Sequence, residues 1–145
     1  MEKSQAMNLV DEVMGDFTAA QKESWNREAN GMPLLEGETY HLKAITKETI
    51  HTGTIGAGAA NAGDKFKQFE TVEGTMLGLS QVARKGNGLG LEGATRKELV
   101  ADFIAKVNTY NEENPDSVGF AVKVKSLKTR PGQSGTMVIP TFALA

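Results

Sequence analysis

The sequence predicts a mainly β fold: a five-stranded antiparallel barrel of Greek-key order, preceded by an N-terminal helix. Three observations lead there. The element order after the leader reads strand, strand, strand, helix, strand, strand. One strongly amphipathic, capped helix stands between the third and fourth strands. Glycine clusters sit at the connections, among 16 glycines in 145 residues. A chain of this length can bury about two-thirds of its unfolded surface, so a core needs no covalent staples. The expected organisation is a helical leader over 1–37 and a barrel domain over 38–145.

Residues 4–28 predict the leader helix. Leu9, Val13 and Phe17 recur at i, i+4 and i+8 with Val10 and Met14 beside them, and Asn30-Gly31 and Pro33 end it. Residues 38–50, ETYHLKAITKETI, predict one long first strand, with Tyr40, Leu42 and Ala44 on one side and His41 and Lys43 on the other. The glycine- and alanine-rich stretch 51–64 predicts a mobile loop. Residues 65–73 and 75–84 predict the second and third strands, joined at Gly74. Thr95 and Glu98 form a T-x-x-E capping box, and Leu99, Val100, Phe103, Ile104 and Val107 form an apolar stripe. This helix, 95–111, is expected to plug one end of the barrel before Asn114-Pro115 stops it. Residues 119–128 alternate, with Phe120, Val122 and Val124 inward and Lys123 and Lys125 outward. A turn over 130–135 leads to the last strand, 136–144, where Pro140 predicts an edge or a bulge.

Composition excludes several chemistries. There are no cysteines, hence no disulfide, thiol nucleophile or thiolate metal site. His41 and His51, the only histidines, lack metal-ligand spacing. Ser80 and Ser126 lie outside any nucleophile elbow, and Glu70 and Glu73 have no pairing that marks acid–base work. Gly88-Leu89-Gly90-Leu91-Glu92-Gly93 matches the dinucleotide fingerprint G-x-G-x-x-G. The chain has too few β-α-β units for that cradle, so a tight corner is the reading, with no cofactor and no metal. No run has the length of a signal peptide or of a membrane span. The expectation is a non-enzymatic, cytoplasmic binding protein.

Net charge is −2, unevenly spread. Residues 1–38 carry three basic and eight acidic side chains, and 119–145 carry four basic and no acidic ones. A local basic face is what a polyanion needs. In Lys65-Phe66-Lys67-Gln68-Phe69, period-two alternation puts Lys65, Lys67 and Phe69 on one face. Cations that track phosphates and aromatics that stack bases are the parts of a single-strand binder. The two phenylalanines have opposite parity, so one of them is exposed if the strand is regular, and either could be core. The expected nucleic-acid-binding set is Lys65, Lys67, Phe69, Arg84, Lys85, Lys123, Lys125 and Arg130.

The order of elements over 38–144 resembles the OB-fold proteins that bind single-stranded DNA in bacteriophages and bacteria. That resemblance implies a replication or recombination accessory in the bacterial or host cytoplasm, with single-stranded nucleic acid as partner. The sequence departs from the bacterial pattern in ending Thr141-Phe142-Ala143-Leu144-Ala145, without an acidic tail, and in an aromatic content of only 6%. Trp25 lies in the leader, where it suits packing or homo-oligomerisation. The rival expectation is a structural or assembly protein, a virion or accessory module, working through the leader helix and the glycine-rich loop.

Overall fold

The computed structural model describes residues 1–14, 34–54, 65–132 and 135–144. They form a mixed α/β unit with two antiparallel sheets. The first sheet pairs β1 (Thr39–Leu42), β5 (Phe120–Gly132) and β6 (Gly135–Leu144), with β5 central. The second pairs β2 (Ile50–Thr54), β3 (Lys65–Glu70) and β4 (Met76–Gly78), with β3 central. Three helices accompany them: α1 (Lys3–Met14), the single turn α2 (Leu79–Val82) and α3 (Arg96–Glu113).

The expected five-stranded barrel is therefore not the fold. Two separate three-stranded sheets replace it, and no strand pairing among the described residues joins them into a closed cylinder. Two local breaks account for this. The first is at 43–49, inside what alternation predicts as one strand. Thr49 Oγ1 accepts from Thr46 N at 2.9 Å and donates to Thr46 O at 3.1 Å, closing a turn around Lys47-Glu48. Ile45 is buried beside it, and the Asn108 carboxamide from α3 takes both of its backbone groups, Ile45 N at 2.5 Å and Ile45 O at 2.9 Å. A helix side chain thus satisfies the pair that a neighbouring strand would have held. Only the first part of the predicted strand, Thr39–Leu42, joins the first sheet, and the chain returns to extended structure at Ile50, in the second.

The second break shortens the predicted strand 75–84 to three residues. The Gln81 side chain accepts from Gly78 N at 2.9 Å, and Ala83 N donates to Leu79 O, so the chain turns helical after Gly78. Leu79 and Val82, three apart, are then both fully buried.

α3 forms as its signals predict. Thr95 caps it, with Oγ1 accepting from Glu98 N at 3.2 Å. The Glu98 carboxylate reaches back to Ala94 N at 2.9 Å. Leu99, Val100, Phe103, Ile104 and Val107 are buried. Phe103 is the hinge of the core: its ring lies 5.3 Å from Phe69 of the second sheet and 6.3 Å from Phe120 of the first. The helix therefore lies against both sheets instead of stopping the end of a cylinder. α1 packs on α3 through Ala6 and Val10, with Asp11 paired to Lys97 and Glu12 to Lys47. The rest of the predicted leader, 15–33, and most of the loop 51–64 lie outside the described residues.

The free edge of β6 is shaped by two features. Phe142 N donates to Asn87 O at 2.6 Å, so the amide of residue 142 points away from β5. Amides two residues apart on a strand face the same edge, which places the missing N–H of Pro140 there too. Gly88, at φ +93°, is the residue that lets the loop approach, since a Cβ would collide with the Phe142 carbonyl. Pro140 thus sits on an edge strand, near the irregularity between Val124 and Ser126 of β5.

Candidate polyanion-binding face

β5 has two chemically different sides. Val122 and Val124 point inward with Tyr40, Leu42 and Phe142, all buried. Lys123 points outward, in register with Thr39 on β1 and Ala143 on β6. Strict alternation would send Lys128, five residues on, to the inner side. The bulge prevents that. Beyond it Ser126 is opposite Thr141 and Lys128 is opposite Ile139, and Ile139, Thr141 and Ala143 share one face of β6. One extra residue shifts the phase of the strand, so Lys128 rejoins the side of Lys123. Lys125 is the extra residue and is exposed, as are Lys123 and Lys128. Among the described residues none of the three takes part in an ion pair. Glu36 lies against β5, its carboxylate accepting from Leu127 N at 3.0 Å.

Lys128 is the residue that the sequence pattern missed, because a bulge carries no clear mark in a run of alternating residues. Lys123 and Lys125 lie where alternation expected them. The side chains of Lys65 and Arg130 lie outside the described residues. Lys67 is half-buried on β3 and has an interaction partner. Arg84 is half-buried after α2 and stands near Arg96 at the start of α3. Desolvation, and then the charge of Arg84, lowers the pKa of the Arg96 guanidinium. Lys85 is exposed next to Arg84.

Phe69 requires a correction. It is fully buried, with its ring against Phe103, so it has no face to offer a base. Its cross-strand neighbours Ile50 and Leu77 are buried with it. On the opposite side of β3, Gln68 lies between His51 and Gly78. It too is buried, and its carboxamide has no hydrogen-bond partner among the described residues.

At the outer edge of β1, His41 meets the turn that follows β3. The Glu73 carboxylate accepts from His41 N at 2.8 Å and lies 2.6 Å from the ring Nδ1, while Val72 N donates to His41 O at 2.8 Å. Burial pulls the Glu73 carboxyl up, but the backbone amide and ring of His41 outweigh it and hold the group below its ordinary range. A shallow pocket of about 270 Å³ lies nearby, lined by Lys43, Ala44, Thr49, Glu70, Thr71 and Val72. Its polar groups are engaged: Lys43 Nζ donates to Ser117 O at 2.5 Å and Thr71 Oγ1 donates to Thr75 O.

The glycine fingerprint at 88–93 follows the helical turn α2, not a strand, and Glu98 already holds an amide before α3. Gly88 serves the contact with β6 instead. Among the described residues no three histidine, aspartate or glutamate side chains gather as a metal site would require. No described helix is long and apolar enough to cross a membrane. Comparison with known protein families, with curated proteins and with solved structures finds no match.

Proposed function

We propose that this protein binds single-stranded nucleic acid, without catalysis, through the outward face of the β1-β5-β6 sheet. The observation that supports the reading is the placement of Lys123 and Lys128 on one exposed side of a single strand, with Lys125 exposed at the bulge between them. At about 3.3 Å per residue they span roughly 15 Å, a row of cations suited to successive phosphates. Thr39, Ser126 and Thr141 lie on the same side and can donate hydroxyl hydrogen bonds to phosphate oxygens. The face carries no aromatic platform among the described residues. Contacts to the backbone therefore dominate, giving weak dependence on base identity and strong dependence on salt.

The test is a gel shift with a labelled oligothymidylate across a salt series. Binding is expected to weaken linearly on a log–log plot. Replacing all three lysines by alanine removes about 0.7 per lost phosphate contact from that slope. A triple variant that binds and responds to salt like the wild type rejects the face. The assembly reading would then lead, since Val118 and Leu144 are 57% and 56% exposed near the ends of β5 and β6 and offer apolar contacts.

A further inference from the structure

We propose that the His41–Glu73 pair tunes the lysine face, so that it binds a polyanion more tightly when His41 is protonated. This rests on the reading of the face given above. His41 belongs to the same side of the sheet: it is opposite Ala121, two residues along β1 from Thr39, which is opposite Lys123. Its ring is only partly buried. Glu73 is fastened to it twice, through the backbone amide and through Nδ1. The carboxylate therefore cannot swing away from the edge of the face without losing both bonds.

The charge follows from this geometry. With a neutral ring, the pair places one uncompensated negative charge at the β1 edge of the face, at the end of the lysine row nearest Lys123. With a protonated ring, the pair is neutral and the face gains one positive unit. Histidine is the side chain that changes charge between about pH 5 and 8, and the two bonds to His41 keep Glu73 ionised across that interval. The other charged groups near His41 do not cancel the effect. Lys43, just after β1, has its amine on Ser117 O. Lys123, on β5, is part of the face. Glu70, at the end of β3, lies 3.4 Å from His51 on the second sheet, a pair separate from His41 and Glu73.

The experiment measures the affinity of the full chain for oligothymidylate at low, fixed ionic strength at about pH 5.5 and pH 8. The expected gain on acidification is roughly three- to tenfold, the size of one unit charge acting on a few phosphates through water. His41→Gln should hold the pH 8 affinity at both values. Glu73→Gln should bind more tightly at pH 8 than the wild type, and His51→Gln should keep the wild-type response. Thermal melts at both pH values establish that each variant is folded. If His41→Gln does not fold, the proton titration of the His41 ring in the wild type decides, because linkage requires bound oligonucleotide to raise its midpoint. Binding that is independent of pH, a response that survives His41→Gln, or an unmoved midpoint overturns the inference and leaves the face standing. No binding at either pH overturns the face itself.

Discussion

β3 and β5 hold the same position, each the central strand of a three-stranded sheet, and each mixes lysines with large apolar residues. Their fates differ. β3 is covered at Gln68 as well as at Phe69, so both of its sides are inside at that point. β5 buries Val122 and Val124 and leaves Lys123 and Lys125 in water. The difference comes from what each sheet meets. Phe69 finds Phe103 of α3, and an aromatic pair removed from water outweighs any advantage of showing the ring to a ligand. The outer side of β5 is covered at none of its three lysines. A lysine and an aromatic close together in sequence identify a binding strand only when nothing apolar is waiting on the aromatic side.

The most forceful way to sharpen this contrast is Phe69→Ala. Truncating a fully buried phenylalanine costs about 3–5 kcal/mol, and a thermal melt should show the loss before any binding assay does. If the variant melted like the wild type, β3 would return as a candidate ligand strand. Next comes Asn108→Ala, which attacks the turn that separates the sheets. It strands the buried N–H and C=O of Ile45 and should cost about 1–3 kcal/mol by denaturant unfolding. A cost near zero would show that the 43–49 break needs no such anchor.

The triple change of Lys123, Lys125 and Lys128 to alanine should do the reverse of Phe69→Ala. Each is an exposed surface position, where substitutions usually stay within about 0.5 kcal/mol. The salt slope of binding should fall by about 2 while the melt hardly moves. The smallest effect belongs to Glu73→Gln. The folded carboxyl lies below its unfolded value of about 4.3, so its stabilisation is present above that pH and disappears as the pH falls through the folded value. The wild type should exceed the variant by less than about 1 kcal/mol at pH 7, as for a partly exposed pair. The gap should close once the pH has fallen below the folded value and the carboxyl is protonated in both states, and a gap that persisted there would contradict the geometry.

Local signals made part of this molecule legible. The Thr95 and Glu98 caps and the stripe from Leu99 to Val107 mark α3, and the alternation from Phe120 to Lys125 marks β5 with its correct inner and outer sides. The barrel failed where distant residues decide. Tyr40, Leu42 and Ala44 continue a strand pattern into 43–49, but Asn108, 63 residues from Ile45, breaks it. Leu77 and Leu79 alternate like a strand until Gln81 caps Gly78 and Val82 follows Leu79 with helical spacing. Within the candidate site, parity left Phe66 and Phe69 as equal choices for the core, and the contact with Phe103 places Phe69 there. Lys128 was hidden by a single inserted residue.

The blunted edge of β6 has a consequence for the protein in concentrated solution. A second chain that tried to extend the sheet would find no donor at Pro140 and the amide of Phe142 already bonded to Asn87. Growth by strand addition, the usual start of fibres from an exposed edge, is refused at both points. At about 4.8 Å between strands the lysine face keeps a width of roughly 10 Å, set by three strands and fixed for each molecule.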